Sequence, residues 1–331
     1  MRRFDAGAVP DDGPETGRRL EGWWVLIRTV LPQSRLSLTS CPMPEAHELS
    51  TRTIDSGGVR LHCVSAGRPD GPMVLLLHGF PARWSTWRRP MMALANAGFF
   101  AVAPDLRGYG VSDKPAGVPA YSSARIIDDV AAIIRGFGRQ KVCVVGHDFG
   151  GGVAWGTAMA RPDLVSRLAI LNSVHPVGFE RQMRKWSQVK KSWYVFFFLL
   201  PSIPEWFLSR NDFRFIKRSL AEDGLSAEDT EDLLEGVRPA MALHAAIDWY
   251  RASFWDGLRK RLPQAKVDVP TLVVWGDRER HLDAALAVPP PDWVSSARVV
   301  HIPEASHWVH HDAPDKVAAL LIEHFAPVRP L

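Results

Sequence analysis

The sequence predicts an α/β protein that has a mostly parallel sheet and a helical segment inserted between two of its strands. From residue 51 onward, short apolar runs alternate with amphipathic stretches, the pattern of a sheet covered by helices on both faces. The alternation stops after Leu171, and about a hundred residues pass before the next apolar run, so this interval needs its own structure. Within the alternating region, the hexapeptide at 146–151, Gly-His-Asp-Phe-Gly-Gly, has the spacing of a sharp strand-to-helix turn.

The individual elements follow from hydrophobic periodicity. Apolar runs predict strands at 59–65, 73–77, 99–103, 142–145, 168–171, 272–275 and 298–302. Helical spacing predicts helices at 122–137 and 314–325 in the core, and at 183–193, 207–220, 226–235 and 240–255 in the inserted segment. We therefore expect a core in two parts, 45–175 and 266–331, with a helical cap at 176–265 between them.

Composition excludes several classes of protein. The chain has 331 residues, of which 46% are hydrophobic, enough to bury one large core. Its formal net charge is only +4 and it has no dense run of Lys and Arg, so we expect no nucleic-acid partner. The apolar stretch at 195–200 is too short to span a bilayer, so we expect no integral membrane segment. The sequence does not indicate a particular oligomeric state.

Cysteine usage indicates a reducing compartment. Cys41, Cys63 and Cys143 have neither the spacing of a redox pair nor that of metal ligands, and Cys143 lies within a predicted buried strand. We therefore expect a cytoplasmic protein without a bound metal.

The first 44 residues contain several Pro, Gly and Arg residues and no long periodic pattern. We predict a disordered N-terminal extension, because the apolar cluster at 23–27 is short and is not followed by a cleavage site. Two alternatives are a short helix that docks on the domain or on a membrane surface, and translation that starts at Met43.

Asp148 occupies the central position of the hexapeptide, where such turns force a side chain into a strained, exposed position. A carboxylate at this position can attack a carbon electrophile such as an epoxide or alkyl halide and form an alkyl ester. The helix that follows directs its positive end at Asp148 and helps to keep it ionised. The alternative is an Asp that merely caps this helix.

A family resemblance rests on three blocks that occur in the same order. These are 78–81 (His-Gly-Phe-Pro), 105–115 (Asp-Leu-Arg-Gly-Tyr-Gly-Val-Ser-Asp-Lys-Pro) and 146–151. From about residue 60 to the C-terminus, the chain resembles the epoxide hydrolase branch of the α/β-hydrolase superfamily. The resemblance implies an α/β-hydrolase core with an inserted helical cap, which converts a hydrophobic epoxide and water to a vicinal diol without a cofactor.

The first block ends a predicted strand at the carboxyl edge of the sheet, where open α/β folds place their ligands. A backbone N–H there can meet the N–H of the residue after the nucleophile. We therefore assign the oxyanion hole to the amides of Phe80 and Phe149.

A general base should follow the last strand, and His307 lies in the loop before the final helix, in a Ser-His-Trp sequence similar to the family's final motif. The orienting acid should follow the strand at 272–275, where two carboxylates occur. The family pattern assigns the role to Glu279, although Asp is more usual at that position. Asp277 therefore remains the alternative acid.

Tyr194 and Tyr250 lie in the predicted cap and match the tyrosines that polarise the epoxide oxygen in the resembling family. A phenol has an ordinary pKa of about 10, so it stays protonated at neutral pH and can donate to the oxygen as the ring opens. The alternative is aromatic packing within the cap.

Two other functions use the same sequence features. A haloalkane or haloacid dehalogenase would share the Asp nucleophile, but these enzymes usually have an indole or arginines just after it, where this chain has Phe149, Gly150 and Gly151. A catalytically silent binding protein of the same fold would commonly lack a member of the triad, whereas all three are present here.

Overall fold

The computed structural model describes residues 48–259 and 265–326. The predicted N-terminal extension, the alternative start at Met43 and the thiol of Cys41 lie outside this part of the chain. The described residues form an eight-stranded sheet in the order β1-β2-β4-β3-β5-β6-β7-β8. Its strands are Ser50–Ser56 (β1), Val59–Ala66 (β2), Met73–Leu77 (β3), Phe100–Pro104 (β4), Val142–His147 (β5), Val165–Leu171 (β6), Thr271–Gly276 (β7) and Ala297–Ile302 (β8).

The sheet is parallel from β4 through β8, whereas β1 and β2 run antiparallel to their neighbours. β1 was not predicted from the sequence. This strand is at the edge of the sheet, and Ile54 is its one buried residue, so it lacks the apolar run that marks the central strands. β2 to β8 lie within a few residues of their predicted positions.

Five helices flank the sheet: Arg88–Asn96 (α1), Ser123–Gly136 (α2), Phe149–Ala160 (α3), Val309–Asp312 (α10) and Pro314–Phe325 (α11). Side chains of β3 alternate between the two faces. Leu75 and Leu77 pack in the core beneath α2 and α3, while Val74 and Leu76 pack in the second core beneath α1 and α11. Both faces of the sheet are therefore covered, as predicted.

Six further helices lie between β6 and β7: Pro176–Gln182 (α4), Trp186–Lys191 (α5), Trp193–Phe198 (α6), Ile203–Glu222 (α7), Ala227–Leu234 (α8) and Ala242–Leu258 (α9). They confirm the predicted insertion of a helical segment, although its exact limits, 176–265, stay a prediction. None of the helices in the described ranges combines the length and the apolar character needed to cross a bilayer.

The inserted helices are more broken than predicted. The predicted helix at 183–193 is divided between α5 and the start of α6. Within α7, residues 210–213 leave the helical conformation, and Asn211, Asp212 and Phe213 have positive φ angles. Asn and Asp adopt the left-handed region more readily than other non-glycine residues, so this sequence favours an interruption there.

Candidate active site

Asp148 lies between the end of β5 and the first residue of α3, in a strained backbone conformation with φ 49° and ψ −123°. Glycines allow the turn to be this tight, because a Cβ on Gly146 would lie 2.2 Å from the carbonyl oxygen of Gly150. The Ser173 hydroxyl donates to the Asp148 carbonyl at 2.6 Å and helps to hold the turn. The local sequence therefore fixes where the Asp148 side chain emerges.

The Asp148 carboxylate does not cap α3 through a side-chain hydrogen bond. Instead, its Oδ2 accepts from the backbone N–H of Phe80 at 2.9 Å. Burial raises the pKa of Asp148, although the charge of His307 and the amides of Phe80 and Phe149 act in the opposite direction. Both backbone amides that the sequence predicted for the oxyanion hole thus act on this carboxyl group.

His307 and Glu279 form a buried pair, with His307 Nδ1 2.6 Å from Glu279 Oε2. Burial opposes the charged form of each residue, but the opposite charge and the hydrogen bond outweigh it. The pKa of Glu279 is thereby lowered to about 2, and that of His307 is raised to about 9. The charge of Asp148 also contributes to the raised pKa of His307. The imidazole is therefore a cation at neutral pH while Asp148 is ionised.

Glu279 is held by residues that the sequence analysis did not single out. Asn172 donates its Nδ2 to Oε2 at 2.8 Å, and the backbone N–H groups of His281 and Leu282 donate to Oε1 at 2.7 and 3.3 Å. The Asn172 Oδ1 in turn accepts from the Gly276 N–H at 2.9 Å. In the sequence, only the position of Asn172 directly after β6, which pairs with β7, indicated that it could orient Glu279.

Asp277, the alternative acid, lies elsewhere. Its Oδ1 is 2.6 Å from Nδ1 of His301, and both side chains are exposed at the surface. The structure thus brings Glu279, and not Asp277, to His307.

Tyr194 of α6 and Tyr250 of α9 lie together, with their ring centroids 6.0 Å apart. The Phe149 ring packs against Tyr250 with a centroid separation of 4.4 Å. Burial, and next the negative charge of Asp148, raise the pKa of both phenols above its ordinary value. Both hydroxyls are therefore protonated at neutral pH and can act as hydrogen-bond donors.

These side chains meet at one cavity of about 170 Å³, which lies between the sheet and the inserted helices. Asp148, His307, Tyr194 and Tyr250 all line it. Most of the remaining wall is apolar, including Phe80, Phe198, Leu208, Phe215, Ile216 and Leu220. The cavity therefore fits a small, largely apolar molecule held between a carboxylate and two phenols.

One corner of the cavity is polar, which the sequence analysis did not anticipate. His281 Nε2 lies 2.8 Å from Asp223 Oδ2, and both residues line the cavity. Because Asp223 follows α7 and His281 follows β7, this contact connects an inserted helix to the core.

Comparison with known proteins identifies the family. Residues 72–314 match the family model of the alpha/beta hydrolase fold. The chain is 36% identical over 279 residues to the AB hydrolase superfamily protein YfhM of Bacillus subtilis, covering 82% of this chain and 96% of that protein. It is 37% identical over 275 residues to Epoxide hydrolase 3 of Xenopus tropicalis, covering 80% of this chain and 74% of the relative.

Solved structures agree with these relatives. The epoxide hydrolase of Bacillus megaterium, crystallised with an inhibitor, is 27% identical and superimposes with a TM-score of 0.76, covering 83% of this chain and all of that one. Cfl2 from Burkholderia cenocepacia is 28% identical, with a TM-score of 0.75 and coverage of 84% and 96%. The fold of the described residues agrees with the family model and with these relatives and solved structures. The chain therefore belongs to the α/β-hydrolase superfamily, within its epoxide hydrolase branch.

Proposed function

We propose that the protein is a cofactor-independent epoxide hydrolase that converts a hydrophobic epoxide and water to a vicinal diol through an alkyl ester on Asp148. The observation that carries the proposal is the placement of two protonated phenols, Tyr194 and Tyr250, in the same cavity as a buried carboxylate held by a backbone amide. A carboxylate supplies the nucleophile, and a phenol supplies the proton that the leaving oxygen needs.

In the first step, Asp148 attacks a carbon of the epoxide ring. A carbon–oxygen bond of the ring breaks, and its oxygen takes a proton from one of the phenols, leaving an ester on Asp148 and a phenolate. His307, whose pKa is raised to about 9, carries a proton in the resting enzyme and can restore the phenol. The imidazole is then neutral and available as a base.

In the second step, His307 takes a proton from water, and the resulting hydroxide adds to the carboxyl carbon of the ester. The amides of Phe80 and Phe149 stabilise the negative oxygen of the tetrahedral intermediate. When the intermediate collapses, the ester oxygen departs and takes the proton of the added hydroxide. This releases the diol and regenerates the Asp148 carboxylate. Glu279 orients His307 and stabilises its charged form. The cycle ends with every group in its original protonation state.

The variant His307→Gln tests this two-step mechanism, because it removes the base but leaves the nucleophile. After incubation with an epoxide, intact mass spectrometry should show protein plus one substrate, with the added mass on the peptide that contains Asp148. The control His307→Gln/Asp148→Asn should remain unmodified. A His307→Gln variant that stays unmodified by an epoxide that the wild type turns over would contradict the covalent route.

A dehalogenase with the same nucleophile is the second candidate. The phenols argue against it, since a halide ion leaves as an anion and needs no proton. A panel of aryl, terminal and fatty epoxides, assayed beside haloalkanes and haloacids, separates the two activities. Faster halide release than diol formation would favour the dehalogenase, and no turnover of any compound would favour a binding protein.

A cytoplasmic location remains part of the proposal and agrees with the two free, buried thiols of Cys63 and Cys143.

A further inference from the structure

The helices α5, α6 and α7 expose an unusual number of large apolar side chains. Seven of them are more than one third exposed: Trp186 (69%), Trp193 (53%), Phe196 (45%), Ile203 (50%), Trp206 (59%), Phe207 (37%) and Phe215 (42%). We call these seven residues the aromatic patch. Single apolar residues are common on protein surfaces, but a concentration of this kind marks an interaction site.

Ring contacts connect three residues of the aromatic patch. The Trp193 ring contacts that of Phe197, Phe197 contacts Phe207, and Phe207 contacts Phe215, with centroid separations of 6.1, 5.6 and 5.0 Å. The contacts run from α6 across to the far half of α7. The exposed rings of Trp193, Phe207 and Phe215 are therefore connected through Phe197 into one surface.

Positive charge is concentrated on these helices and on α4, which precedes them. Residues 176–222, which comprise α4 to α7, contain nine Lys and Arg against four Asp and Glu, so they carry a formal charge of +5 when the whole chain carries +4. Six of these cations are exposed and form no ion pair with the described residues: Arg181, Arg184, Lys185, Lys190, Arg210 and Arg214. The remaining three contact other groups, for example Lys217 with Asp212 and Arg218 with Glu222.

Two of these cations lie beside exposed indole rings. The Lys190 ammonium lies 5.7 Å from the Trp186 ring centroid, and the Arg210 guanidinium lies 4.5 Å from that of Trp206. Exposed indoles beside unpaired basic residues are typical of segments that lie in the interface between lipid head groups and acyl chains.

We propose that the aromatic patch and its six unpaired cations bind the surface of an anionic lipid bilayer. The rings would enter the interface, and the basic side chains would meet the acidic head groups. Charge also argues against a second copy of the chain as the occupant, because facing patches would bring twelve unpaired cations together.

The aromatic patch borders the active-site cavity, since Trp193 and Phe215 line the cavity and are also exposed. If the proposed function holds, an apolar epoxide that concentrates in the bilayer would reach the cavity past these two rings without crossing bulk water. The binding of lipid itself does not depend on that activity.

Sedimentation of the full-length protein with vesicles tests the proposal without any substrate. We expect more protein to bind vesicles of phosphatidylcholine and phosphatidylserine than vesicles of phosphatidylcholine alone, and added salt to release it. Lys185→Gln/Lys190→Gln should weaken binding by roughly fivefold for each lost cation. Arg88→Gln/Arg89→Gln, which alters two exposed cations on α1, is the matched control and should bind like the wild type.

A second pair of variants tests the rings. Trp186→Ala/Trp206→Ala should reduce vesicle binding, whereas Val111→Ala/Val288→Ala, at comparably exposed apolar positions outside these helices, should not. Circular dichroism and thermal unfolding verify that each variant is folded. Undiminished vesicle binding by both variants of the patch would overturn the proposal. Failure of the wild type to bind the anionic vesicles would overturn it as well. If light scattering then showed a wild-type dimer that Trp186→Ala/Trp206→Ala dissociates, a second copy would be the occupant of the patch.

Discussion

Asn172 donates a hydrogen bond of 2.8 Å to the same oxygen of Glu279 that lies 2.6 Å from His307 Nδ1. The amide is itself oriented by the Gly276 N–H, and its backbone has a positive φ of 36°. One oxygen of Glu279 therefore meets the imidazole and the amide, while the other accepts from two backbone N–H groups. This arrangement fixes the orientation of the carboxylate that holds His307.

Asn172→Asp tests the consequence for catalysis. Asp tolerates the same backbone conformation and keeps an acceptor for Gly276, but it replaces the donor to Glu279 with a second negative charge. The pKa of His307 should rise, so ester hydrolysis at neutral pH should slow by about tenfold for each unit of that rise. The pH profile of single-turnover hydrolysis measures the shift, and a profile that matches the wild type would contradict this role for Asn172.

The two carboxylates after β7 should respond differently to neutralisation. Glu279→Gln leaves His307 without its charged partner, so breakdown of the ester should slow by roughly 10²-fold or more. Asp277→Asn affects only a surface contact with His301. The rate of ester breakdown in this variant should therefore stay within about twofold of the wild type, as for most surface substitutions. Rapid-quench measurement of adduct decay compares them, and the reverse ranking would transfer the role to Asp277.

The cap phenols should govern formation of the ester. Tyr194→Phe and Tyr250→Phe keep the ring packing and remove only a hydroxyl, and each remaining phenol partly compensates for the loss of the other. The double variant should slow alkylation by roughly 10²- to 10⁴-fold, the usual contribution of general-acid assistance. Pre-steady-state adduct formation provides the measurement. Normal epoxide turnover by the double variant would exclude the phenols as proton donors.

The buried ion pair predicts how stability depends on pH. Glu279 has a pKa lowered from 4.5 to about 2, so its contribution is complete above pH 4.5 and is lost as the pH falls through about 2. His307 has a pKa raised from 6.5 to about 9, so its contribution is complete below pH 6.5 and is lost as the pH rises through about 9.

The free energy of unfolding of the wild type, minus that of Glu279→Gln, should therefore be largest between pH 4.5 and 6.5 and should decline from pH 6.5 to about 9. Urea unfolding at a series of pH values measures this difference. A difference that stays constant from pH 5 to pH 9 would show that the pair is not coupled to folding.

Much of this structure was predictable because local sequence determines it. The strand-to-helix turn around Asp148 depends on neighbouring glycines, and the central strands are continuous apolar runs. β1 was missed because an exposed edge strand needs no apolar pattern. The role of Asn172 and the contact between His281 and Asp223 arise from elements far apart in sequence. The concentration of cations beside exposed rings likewise became visible only when the inserted helices were placed in space.

The charge of Asp148 also has a consequence for the order of events during turnover. While Asp148 is an anion, it helps to keep the proton on His307, so the resting base cannot deprotonate water. In the proposed mechanism, ester formation removes that anion, which lowers the proton affinity of the imidazole. The base thus becomes competent only after there is an ester to hydrolyse, and the nucleophile itself sets the sequence of the two steps.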